Sequence, residues 1–486
     1  MLEAQGVPFR AVSVASALFE AGWEIVWFDQ EPDRDRTDRT EELRRALQGA
    51  RAAFLWMNEL TPAVQTENAL LLASRIKTWN PSLPVVAGGP FVQLCPPEIL
   101  FGEGLPIDFF LRDHGEETAP RFLEALEGRA GFADVPGLVE PAERRANPKG
   151  RNGRFLAEWT TLYRLLDLSP YLQSNGGIFG NGEPTLALGT GRGCAKRCSF
   201  CYWTGFEPSL LPAADLVDLV AFLRREYGVR QFHLAELDGF ASRRRPLDLA
   251  RGWKDRVPDS IWFTLVSPVD CGRYTEEEWD LLAEGGCRKL ELGTESGSEK
   301  VLRAIGKRHA AEDVVRLTKT LLARGISPMH NFVFGTVGET DDDRRASLRL
   351  ILRLHDLDPS RVFFTFRFFQ AAWGVPMGDA AIETVPDFPR TLDALLSWRP
   401  LYGDPSIRSL HWLRPREERR VKRIVSYDLP MFASRMRPKN AATRALHRAL
   451  RGLARARVER GFFGFPLDRW LYRIVLRRGL DCTYTA

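Results

Sequence analysis

A regular alternation of strand-like and helix-like segments over residues 186–380 constrains the fold of this chain more than any other feature of its sequence. Short apolar segments are separated by segments in which apolar residues recur at helical spacing. Six such units in order predict a partial (β/α)6 barrel, whose functional side chains lie at the carboxyl ends of the strands. The predicted strands are 186–189, 231–235, 261–266, 289–292, 329–334 and 362–368.

The remainder of the chain falls into three parts. Residues 1–140 also alternate, and they predict a doubly wound, Rossmann-like parallel sheet, so the fold class is α/β. Residues 141–185 carry turn signals and are predicted to be a linker. Residues 381–486 are rich in arginine and aromatic residues and are predicted to be a mainly helical region that caps the substrate. Its aromatic residues could close over a substrate or could form core: Trp398, Tyr402, Trp412, Phe462, Phe463 and Phe465.

Composition narrows the class of protein. With 486 residues the chain is too long for one core, and its net charge of +5 argues against a dedicated nucleic-acid binder. No apolar run approaches the roughly 20 residues that a membrane span needs. No signal peptide is visible, which predicts a cytoplasmic protein. The basic segment 442–460 reads as a helix, for which packing on the barrel is favoured over lying on a membrane surface.

Three of the seven cysteines lie within eight residues, directly after the first predicted barrel strand. Cys194, Cys198 and Cys201 form the pattern C-x3-C-x2-C, and clustered thiolates suit iron–sulfur clusters. Three cysteines bind three irons of a [4Fe–4S] cluster and leave the fourth open to a substrate or cofactor. A zinc site would need a fourth Cys or His nearby, and none lies within 30 residues, since the nearest histidine is His233.

This loop resembles the signature of the radical SAM superfamily, in which it follows the first strand of a partial barrel. The resemblance implies that the amino and carboxylate groups of SAM chelate the open iron. One electron, from a donor such as flavodoxin or ferredoxin, then cleaves SAM to methionine and a 5′-deoxyadenosyl radical, which abstracts hydrogen from the substrate. Phe200 stands where the family usually has an aromatic residue near the adenine.

The resemblance continues through the predicted barrel. Residues 290–307 resemble the fourth strand of the family and its following helix, where an acid commonly binds the SAM ribose and a later Lys or Arg binds its carboxylate. The resemblance assigns these roles to Glu295 and Lys307. An alternative for Glu295 is a carboxylate that is stabilised by the dipole of the following helix.

Two further motifs are expected to contact SAM. The turn after the fifth strand matches the family except that Val337 replaces the usual Pro, and Gly335 would let the backbone approach adenine. After the second strand the family often has an acid that contacts the methionyl amine. Glu236 or Asp238 could serve here, although either could instead be a buried barrel acid without that role.

Residues 1–140 resemble the cobalamin-binding domain of cobalamin-dependent radical SAM enzymes, through the segments 84–90 and 107–117. Gly88 and Gly89 would let the backbone approach the nucleotide tail of cobalamin, as glycines do in other doubly wound sheets, or would form a plain tight turn.

The N-terminal resemblance has two departures. The usual first strand is absent because the first helix starts near Pro8, and no Asp-x-His-x-x-Gly motif supplies a lower cobalt ligand. Cobalamin could therefore bind without a histidine ligand, or the domain could have lost the cofactor. His114 is expected near the far end of the sheet and is not expected to be a ligand.

The sequence is compatible with three functions. The favoured one is a cobalamin-dependent methyltransferase that acts on an unactivated carbon of a small-molecule natural product or a peptide, because methyl transfer is the commoner outcome for this architecture. The second is a radical rearrangement, cyclisation or oxidation without methyl transfer. The third, a non-enzymatic carrier of a cluster or of cobalamin, is disfavoured because the open iron of a three-cysteine site suits catalysis.

Overall fold

The computed structural model describes residues 9–28, 40–57, 64–102, 104–150, 160–172, 183–203, 208–385, 388–397, 412–435, 437–438, 441–463, 468 and 482–483. The chain divides into two compact units. The sheet unit comprises Gln5–Tyr171 and Ala371–Ser409, and the barrel unit comprises Met1–Ala4, Leu172–Gln370 and Leu410–Ala486. Each unit is assembled from separate stretches of chain, whereas all four ranges that the sequence predicts are continuous. Those four ranges stay predictions.

The sheet unit contains five strands, in the spatial order β1 to β5. The first three strands run parallel, and the last two pair antiparallel. The predicted parallel sheet is therefore extended by an antiparallel edge, which is common in large α/β sheets. The strands are β1 (Ala53–Trp56), β2 (Val85–Gly88), β3 (Phe109–Leu111), β4 (Leu138–Glu140) and β5 (Arg145–Ala146).

Alternate residues of the parallel strands enter two separate apolar clusters. Val85 and Phe110 belong to one cluster, and Val86 and Leu111 belong to the other. Because neighbouring residues of a strand point to opposite faces, both faces of this sheet are covered, as a doubly wound fold requires. The helices are Phe9–Glu20, Thr40–Ala46, Val64–Trp79, Pro90–Leu94, Pro97–Leu100, Gly115–Leu126, Thr161–Leu165, Pro376–Glu383 and Leu392–Ser397.

The apolar residues 23–28 also predict a short strand within the alternating segment 1–140, and this prediction is wrong. These residues follow the helix Phe9–Glu20 without pairing to any strand in the described chain. Trp23 and Ile25 pack instead against one apolar cluster of the sheet unit. These apolar side chains are therefore partly buried by packing on the cluster and not by strand pairing.

The segment after the barrel strands joins the sheet unit through its own apolar side chains. Trp373, Ile382, Leu392 and Leu395 are buried in the same cluster as Val85. The sequence placed these residues in the barrel and the capping region because it shows the order of the elements and not the core that each one enters.

The barrel unit is built on six parallel strands in the order β13-β12-β11-β10-β9-β6. This open series, in which each strand lies beside the next one of the barrel along the chain, is the partial (β/α)6 barrel that the sequence predicts. Its strands, with a small hairpin formed by β7 and β8, are β6 (Thr185–Leu188), β7 (Gly191–Arg192), β8 (Ser209–Leu210), β9 (Gln231–Leu234), β10 (Ile261–Val266), β11 (Cys287–Glu295), β12 (Ser327–Phe334) and β13 (Phe363–Phe368).

Helices follow the barrel strands, and capping residues mark where several of them begin. Thr275 Oγ1 accepts a hydrogen bond from the Glu278 N–H at 3.3 Å, and Thr340 and Asp343 form the same reciprocal cap. The helices are Ala213–Tyr227, Arg244–Arg256, Pro268–Cys271, Glu276–Glu284, Glu299–Ala304, Ala311–Ala323 and Asp341–Leu357.

The C-terminal part of the barrel unit is mainly helical, as predicted. Leu450, Ala454 and Val458 of its longest helix pack in one apolar cluster with the barrel helix Asp341–Leu357, which confirms packing on the barrel. The elements are Pro415–Arg423, a π-helical turn Ile424–Asp428, Leu429–Phe432, Ala441–Arg460, and the antiparallel strands β14 (Arg437–Pro438) and β15 (Cys482–Thr483).

The aromatic residues of this region have different surroundings. Phe463 and Trp412 pack in or against the apolar cluster, and Phe462 is exposed. Trp398, Tyr402 and Phe465 lie outside the described residues. None of the helices in the described chain combines the length and the apolar character that a membrane crossing requires.

Candidate SAM and cluster site

The cysteine loop follows the carboxyl end of β6 and is enclosed by a hairpin. β7 and β8 pair antiparallel through Gly191 with Leu210 and through Arg192 with Ser209. Cys194, Cys198 and Cys201 lie between these two strands, and all three are free thiols. The hairpin therefore holds the three sulfurs at the catalytic end of the half-barrel.

Burial shapes the chemistry of the three thiols. It raises the pKa of Cys194 and Cys198, and it raises the pKa of Cys201 to about 12. The Lys196 N–H points to Cys194 Sγ at 3.4 Å, which is the type of hydrogen bond that stabilises a sulfur ligand. Thiolates at these buried positions need a cationic partner, and iron would supply one.

The donor set consists of three cysteine thiols, which is the ligand type of iron–sulfur clusters. Each cysteine of a [4Fe–4S] cluster binds a different iron. Cys194, Cys198 and Cys201 are therefore the residues that would hold a [4Fe–4S] cluster.

A glycine brings the segment after β11 directly against the cysteine loop. Gly306 has φ +78°, and a Cβ on it would lie 3.1 Å from Arg197 O and 3.6 Å from Cys198 Cα. Ser199 fixes this contact, because its N–H donates to Ile305 O at 3.2 Å and its hydroxyl donates to Ala304 O at 2.8 Å. The short helix Glu299–Ala304 is thereby anchored to the loop.

The two predicted SAM contacts from this segment lie together. Lys307 Nζ is 3.2 Å from Glu295 Oε1, and both side chains are largely buried. Burial lowers the pKa of Lys307, but Glu295 and Cys198 outweigh it and the pKa is raised overall, so the ammonium stays charged. Gly293 makes room for the pair, since a Cβ there would lie 2.8 Å from Lys307 Nζ.

The backbone at Glu295 is unusual. Its φ is +60°, which is uncommon for a residue that has a side chain. The ladder between β11 and β12 shifts register between Leu292 and Glu295, so the strand bulges where this residue is presented. Strained backbone of this kind is often found at binding sites. This strain and the ion pair with Lys307 support the prediction that Glu295 binds the SAM ribose.

Glu236 is bound tightly within the protein. Its carboxylate accepts two hydrogen bonds from Arg245, at 2.6 and 3.1 Å, and one from Thr190 Oγ1 at 2.7 Å. Arg245 also donates to Leu211 O beside the hairpin. These bonds use both carboxylate oxygens, so Glu236 ties the hairpin to the barrel and has little capacity left for a ligand.

Asp238 retains more capacity for a ligand. Burial and the neighbouring carboxyl of Asp270 raise the pKa of Asp238 to about 7. The Ser267 N–H donates to its Oδ1 at 3.3 Å, while no donor in the described chain hydrogen-bonds its Oδ2. Lys196 reaches across from the cysteine loop, with Nζ 3.8 Å from Asp238 and 2.5 Å from Asp270. Of the two predicted acids, Asp238 is therefore the one placed to accept an amine.

The turn after β12 is held from two sides. The Gly335 N–H donates to Glu339 Oε2 at 2.7 Å, and Gly335 O accepts from the Trp412 indole at 2.6 Å. Both polar backbone groups of Gly335 are thus occupied, which leaves close packing against adenine as its possible role. Phe200 lies half-buried in the cysteine loop, directly before Cys201.

The glycines predicted for cobalamin have partners within the sheet unit. A Cβ on Gly88 would overlap the Trp56 ring, and a Cβ on Gly89, which has φ +120°, would overlap Met57 O. Trp56 also covers Gly115, where a Cβ would lie 2.6 Å from the ring. Packing at the carboxyl end of β1 therefore accounts for the glycines by itself, and their contact with cobalamin stays a prediction.

The same edge of the sheet contains buried polar atoms that no described residue satisfies. Trp56 Nε1 and Gln93 Oε1 are buried, and neither hydrogen-bonds any described residue. They form a donor and an acceptor that suit the amide side chains of cobalamin, so the residues present fit that cofactor in part. His114 follows β3 and lies at this carboxyl edge rather than at the far end. It precedes the helix Gly115–Leu126 and is buried.

The sequence alone does not identify four residues of the candidate sites in the two units. Asp270, Arg245, Trp56 and Gln93 belong to no sequence motif, and only the tertiary structure shows their surroundings. The sequence position of Asp270 is weakly informative, because this residue lies shortly after a predicted barrel strand, where functional side chains are expected.

Comparisons with known proteins agree with this geometry. Residues 188–351 match the family model described as the Radical SAM superfamily. Over 306 residues the chain is 26% identical to the uncharacterized methyltransferase PH0819 of Pyrococcus horikoshii. The match covers 60% of this chain and 62% of that relative, so the chain spans less than two thirds of its length.

Two solved structures share the fold. The radical SAM methyltransferase TsrM from Kitasatospora setae aligns with a TM-score of 0.62 and 20% identity, over 77% of this chain and 73% of TsrM. The cobalamin-dependent radical enzyme OxsB aligns with a TM-score of 0.67 and 13% identity, over 98% of this chain and 74% of OxsB. At these identities the likeness shows the fold, and the family match concerns the segment that contains the cysteine loop. Residues 188–351 are therefore a radical SAM domain, within a chain that shares the fold of cobalamin-dependent radical SAM enzymes of known structure.

Proposed function

We propose that this protein is a cobalamin-dependent methyltransferase that acts on an unactivated carbon of a natural product or a peptide. The observation that carries the proposal is the combination, in one chain, of the three-cysteine half-barrel with a sheet unit whose carboxyl edge contains unsatisfied polar atoms. A bound cofactor with polar side chains, such as cobalamin, would satisfy these atoms.

In the barrel unit the proposed roles follow from charge and burial. When bound, the cluster supplies the electron that cleaves SAM to methionine and a 5′-deoxyadenosyl radical. Lys307 would bind the SAM carboxylate and Glu295 the ribose, because they present a cation and an acceptor side by side. Asp238 would accept the methionyl amine, and Phe200 and Gly335 would pack on the adenine.

In the sheet unit the proposed roles are contacts with cobalamin. Trp56 Nε1 and Gln93 Oε1 would bind amide groups of cobalamin, and burial would strengthen both hydrogen bonds. Gly88 and Gly89 would allow the backbone to approach its nucleotide tail. No histidine ligand to cobalt is proposed. Cofactors of this kind carry the chemistry, and the protein positions them and excludes water.

The relatives support this proposal without deciding it. One TsrM structure contains cobalamin and a [4Fe–4S] cluster, and one OxsB structure contains aqua-cobalamin. PH0819 is named as a methyltransferase. We extend the cofactor and the methyl transfer from these proteins to this chain. A cytoplasmic location and the absence of a nucleic-acid partner stay predictions from the sequence.

The first test is cofactor binding. Cluster-loaded protein should bind hydroxocobalamin stoichiometrically in equilibrium dialysis. Trp56→Phe keeps a ring but removes the indole N–H, and a lost hydrogen bond of about 0.5–1.5 kcal/mol should weaken binding roughly 2- to 10-fold. Trp23→Phe, in the same unit, is the matched control and should bind normally. Absence of cobalamin binding by the unaltered protein would contradict the methyltransferase proposal.

The second test distinguishes methyl transfer from other radical outcomes. Turnover with methyl-deuterated SAM, over a panel of small molecules and peptides, should place the label on a substrate carbon and consume two SAM per product. Cobalamin binding with 5′-deoxyadenosine release, but with an unlabelled product, would favour rearrangement, cyclisation or oxidation instead.

A further inference from the structure

Three residues at the end of β11 form a tight turn around Glu295. The Ser296 N–H donates to Thr294 O at 2.8 Å, which closes a γ-turn with Glu295 at its centre. Glu295 has φ +60°, and a γ-turn with a positive φ at its centre is the rare, strained form. Backbone of this kind persists only where the surrounding structure holds it. We call Thr294, Glu295 and Ser296 the Glu295 turn.

A histidine from the segment after the next helix holds this turn. His309 Nε2 lies 3.0 Å from Thr294 O, the same oxygen that closes the turn. A carbonyl oxygen can only accept, so Nε2 carries a proton and donates it. Burial lowers the pKa of His309 to about 4, so the imidazole is neutral at physiological pH. Thr294 O therefore accepts one hydrogen bond from inside the turn and one from outside it.

Lys307, two residues before His309, holds the same end of the strand. Its ammonium donates to Gly293 O at 3.4 Å and lies 3.2 Å from the Glu295 carboxylate. Residues 307–309 therefore contact two consecutive backbone carbonyls of β11 and the side chain at the centre of the turn. The backbone of the turn and the direction of its carboxylate are fixed by one short segment of chain.

Packing alone does not explain a histidine at this position. His309 is buried, and its Nδ1 has no hydrogen-bond partner among the described residues. A buried acceptor without a donor lowers stability, whereas an apolar side chain of similar size would not have this cost. The bond to Thr294 O is the one side-chain hydrogen bond that His309 forms in the described chain, so this bond is what the imidazole contributes.

We propose that His309 is a positioning residue that holds the Glu295 turn in the form that binds the SAM ribose. The inference rests on the proposed role of Glu295 and extends it to a residue that acts without touching SAM. His309 fixes the peptide before Glu295, and Lys307 directs the carboxylate. A turn that is already held in its binding form does not have to be ordered when SAM arrives, so loss of His309 should weaken SAM binding.

The test measures the affinity of cluster-loaded protein for SAM by equilibrium dialysis. His309→Met removes the Nε2 donor but keeps a side chain of similar size, so SAM should bind roughly 2- to 10-fold more weakly. His309→Gln keeps an N–H donor at a similar distance from the backbone and should bind SAM like the unaltered protein. Recovery by Gln, but not by Met, would assign the effect to the hydrogen bond.

A double-mutant cycle determines whether His309 acts through Glu295. If it does, His309→Met should not weaken SAM binding further once Glu295→Ala is present. A merely structural role would weaken binding by the same factor in both backgrounds. A SAM analogue with a 2′,3′-dideoxyribose provides a second readout. The unaltered protein should prefer SAM over this analogue, and both single variants should lose most of that preference.

His447→Met is the matched control. His447 is also a buried histidine, with Nε2 3.0 Å from Ser434 Oγ, but it belongs to the helix Ala441–Arg460. This variant should bind SAM and discriminate against the analogue normally. Urea unfolding shows whether each variant is folded. If His309→Met does not fold, His309→Asn, whose amide is too short to reach Thr294 O, serves for the same comparison.

The possible outcomes are distinct. An unchanged SAM affinity in His309→Met would overturn the proposal, and so would a loss that adds in full to that of Glu295→Ala. Equal losses in His309→Met and His309→Gln would also overturn it, because the hydrogen bond would then not be the cause. The proposed role of Glu295 fails separately, if Glu295→Ala binds SAM and its dideoxy analogue as the unaltered protein does.

Discussion

The ammonium of Lys307 lies 3.2 Å from the Glu295 carboxylate, beside the loop that carries the three cysteines. Eleven residues separate Glu295 from Lys307, and the bulge at the end of β11 together with the short helix Glu299–Ala304 brings the two side chains into contact. The pair is buried, and the removal of either partner leaves a charged group without its counterion.

The first prediction concerns SAM binding. Glu295→Ala should weaken SAM binding to the cluster-loaded enzyme by about 1–3 kcal/mol, because a charged hydrogen-bond partner is lost. Equilibrium dialysis with labelled SAM measures the effect. Glu299→Ala, four residues further on and exposed, is the matched control and should bind SAM normally. An unchanged affinity in Glu295→Ala would remove this residue from the site.

The second prediction separates the two acids after β9. Glu236→Gln breaks a buried ion pair with Arg245 and should lower the free energy of unfolding by about 3–5 kcal/mol. Asp238→Asn should leave the protein folded but weaken SAM binding, because an acceptor for the amine is lost. Urea denaturation and SAM dialysis on both variants test this. If Glu236→Gln is fully stable and fails to bind SAM, the two assignments are reversed.

The barrel could be predicted from the sequence because each of its signals is local. The three cysteines lie within eight residues, and the strands are short apolar segments at regular spacing. The choice between Glu236 and Asp238 could not be predicted, because it depends on Arg245 and Asp270, which belong to later elements. Spacing shows which residues are near a site, and tertiary contacts decide which of them remain available.

The third prediction concerns the cluster. Anaerobic reconstitution should load the protein with a [4Fe–4S] cluster, and the triple change of Cys194, Cys198 and Cys201 to Ala should abolish its absorbance and iron content. Cys287→Ala is the control, because this thiol is buried at the start of β11 and precedes the site by a whole strand. It should retain a full cluster. Retention of the cluster by the triple variant would refute the ligand assignment.

The sheet unit was predicted less completely for a different physical reason. The apolar alternation over residues 1–140 predicts its parallel sheet, but β4 and β5 are only three and two residues long and pair as an edge. Short edge strands have little apolar periodicity to detect. The burial of Trp373 and Ile382 in this unit likewise depends on long-range packing, which the order of elements does not reveal.

The last prediction concerns a lysine in the barrel wall. Lys289 of β11 is 2% exposed, with Nζ 4.0 Å from the Phe363 ring centroid. His233 and Phe263 occupy the matching positions on β9 and β10, so the lysine faces aromatic groups. Burial lowers its pKa to about 7, Glu291 opposes that effect, and Arg435 adds to it.

The sign of the pH dependence follows from this pKa. Below about pH 7 the lysine is protonated in the folded and in the unfolded protein, and the full cost of burying its charge is present. Between about pH 7 and 10.5 the unfolded chain binds more protons than the folded one, so the contribution of this group makes stability rise with pH.

Lys289→Met should therefore stabilise the protein at pH 6.5 by roughly 1–4 kcal/mol, as replacement of a buried ionic group by an apolar one often does. The gain should shrink as the pH rises above about 7, because the unaltered lysine then loses its charge on folding. Urea unfolding of cluster-free protein at several pH values measures both effects. Lys319→Met, on an exposed site of the helix Ala311–Ala323, is the control and should change neither the stability nor its slope. A loss of stability at pH 6.5 in Lys289→Met would show that the charged lysine is stabilised by its surroundings, and the assigned direction of its pKa would be wrong.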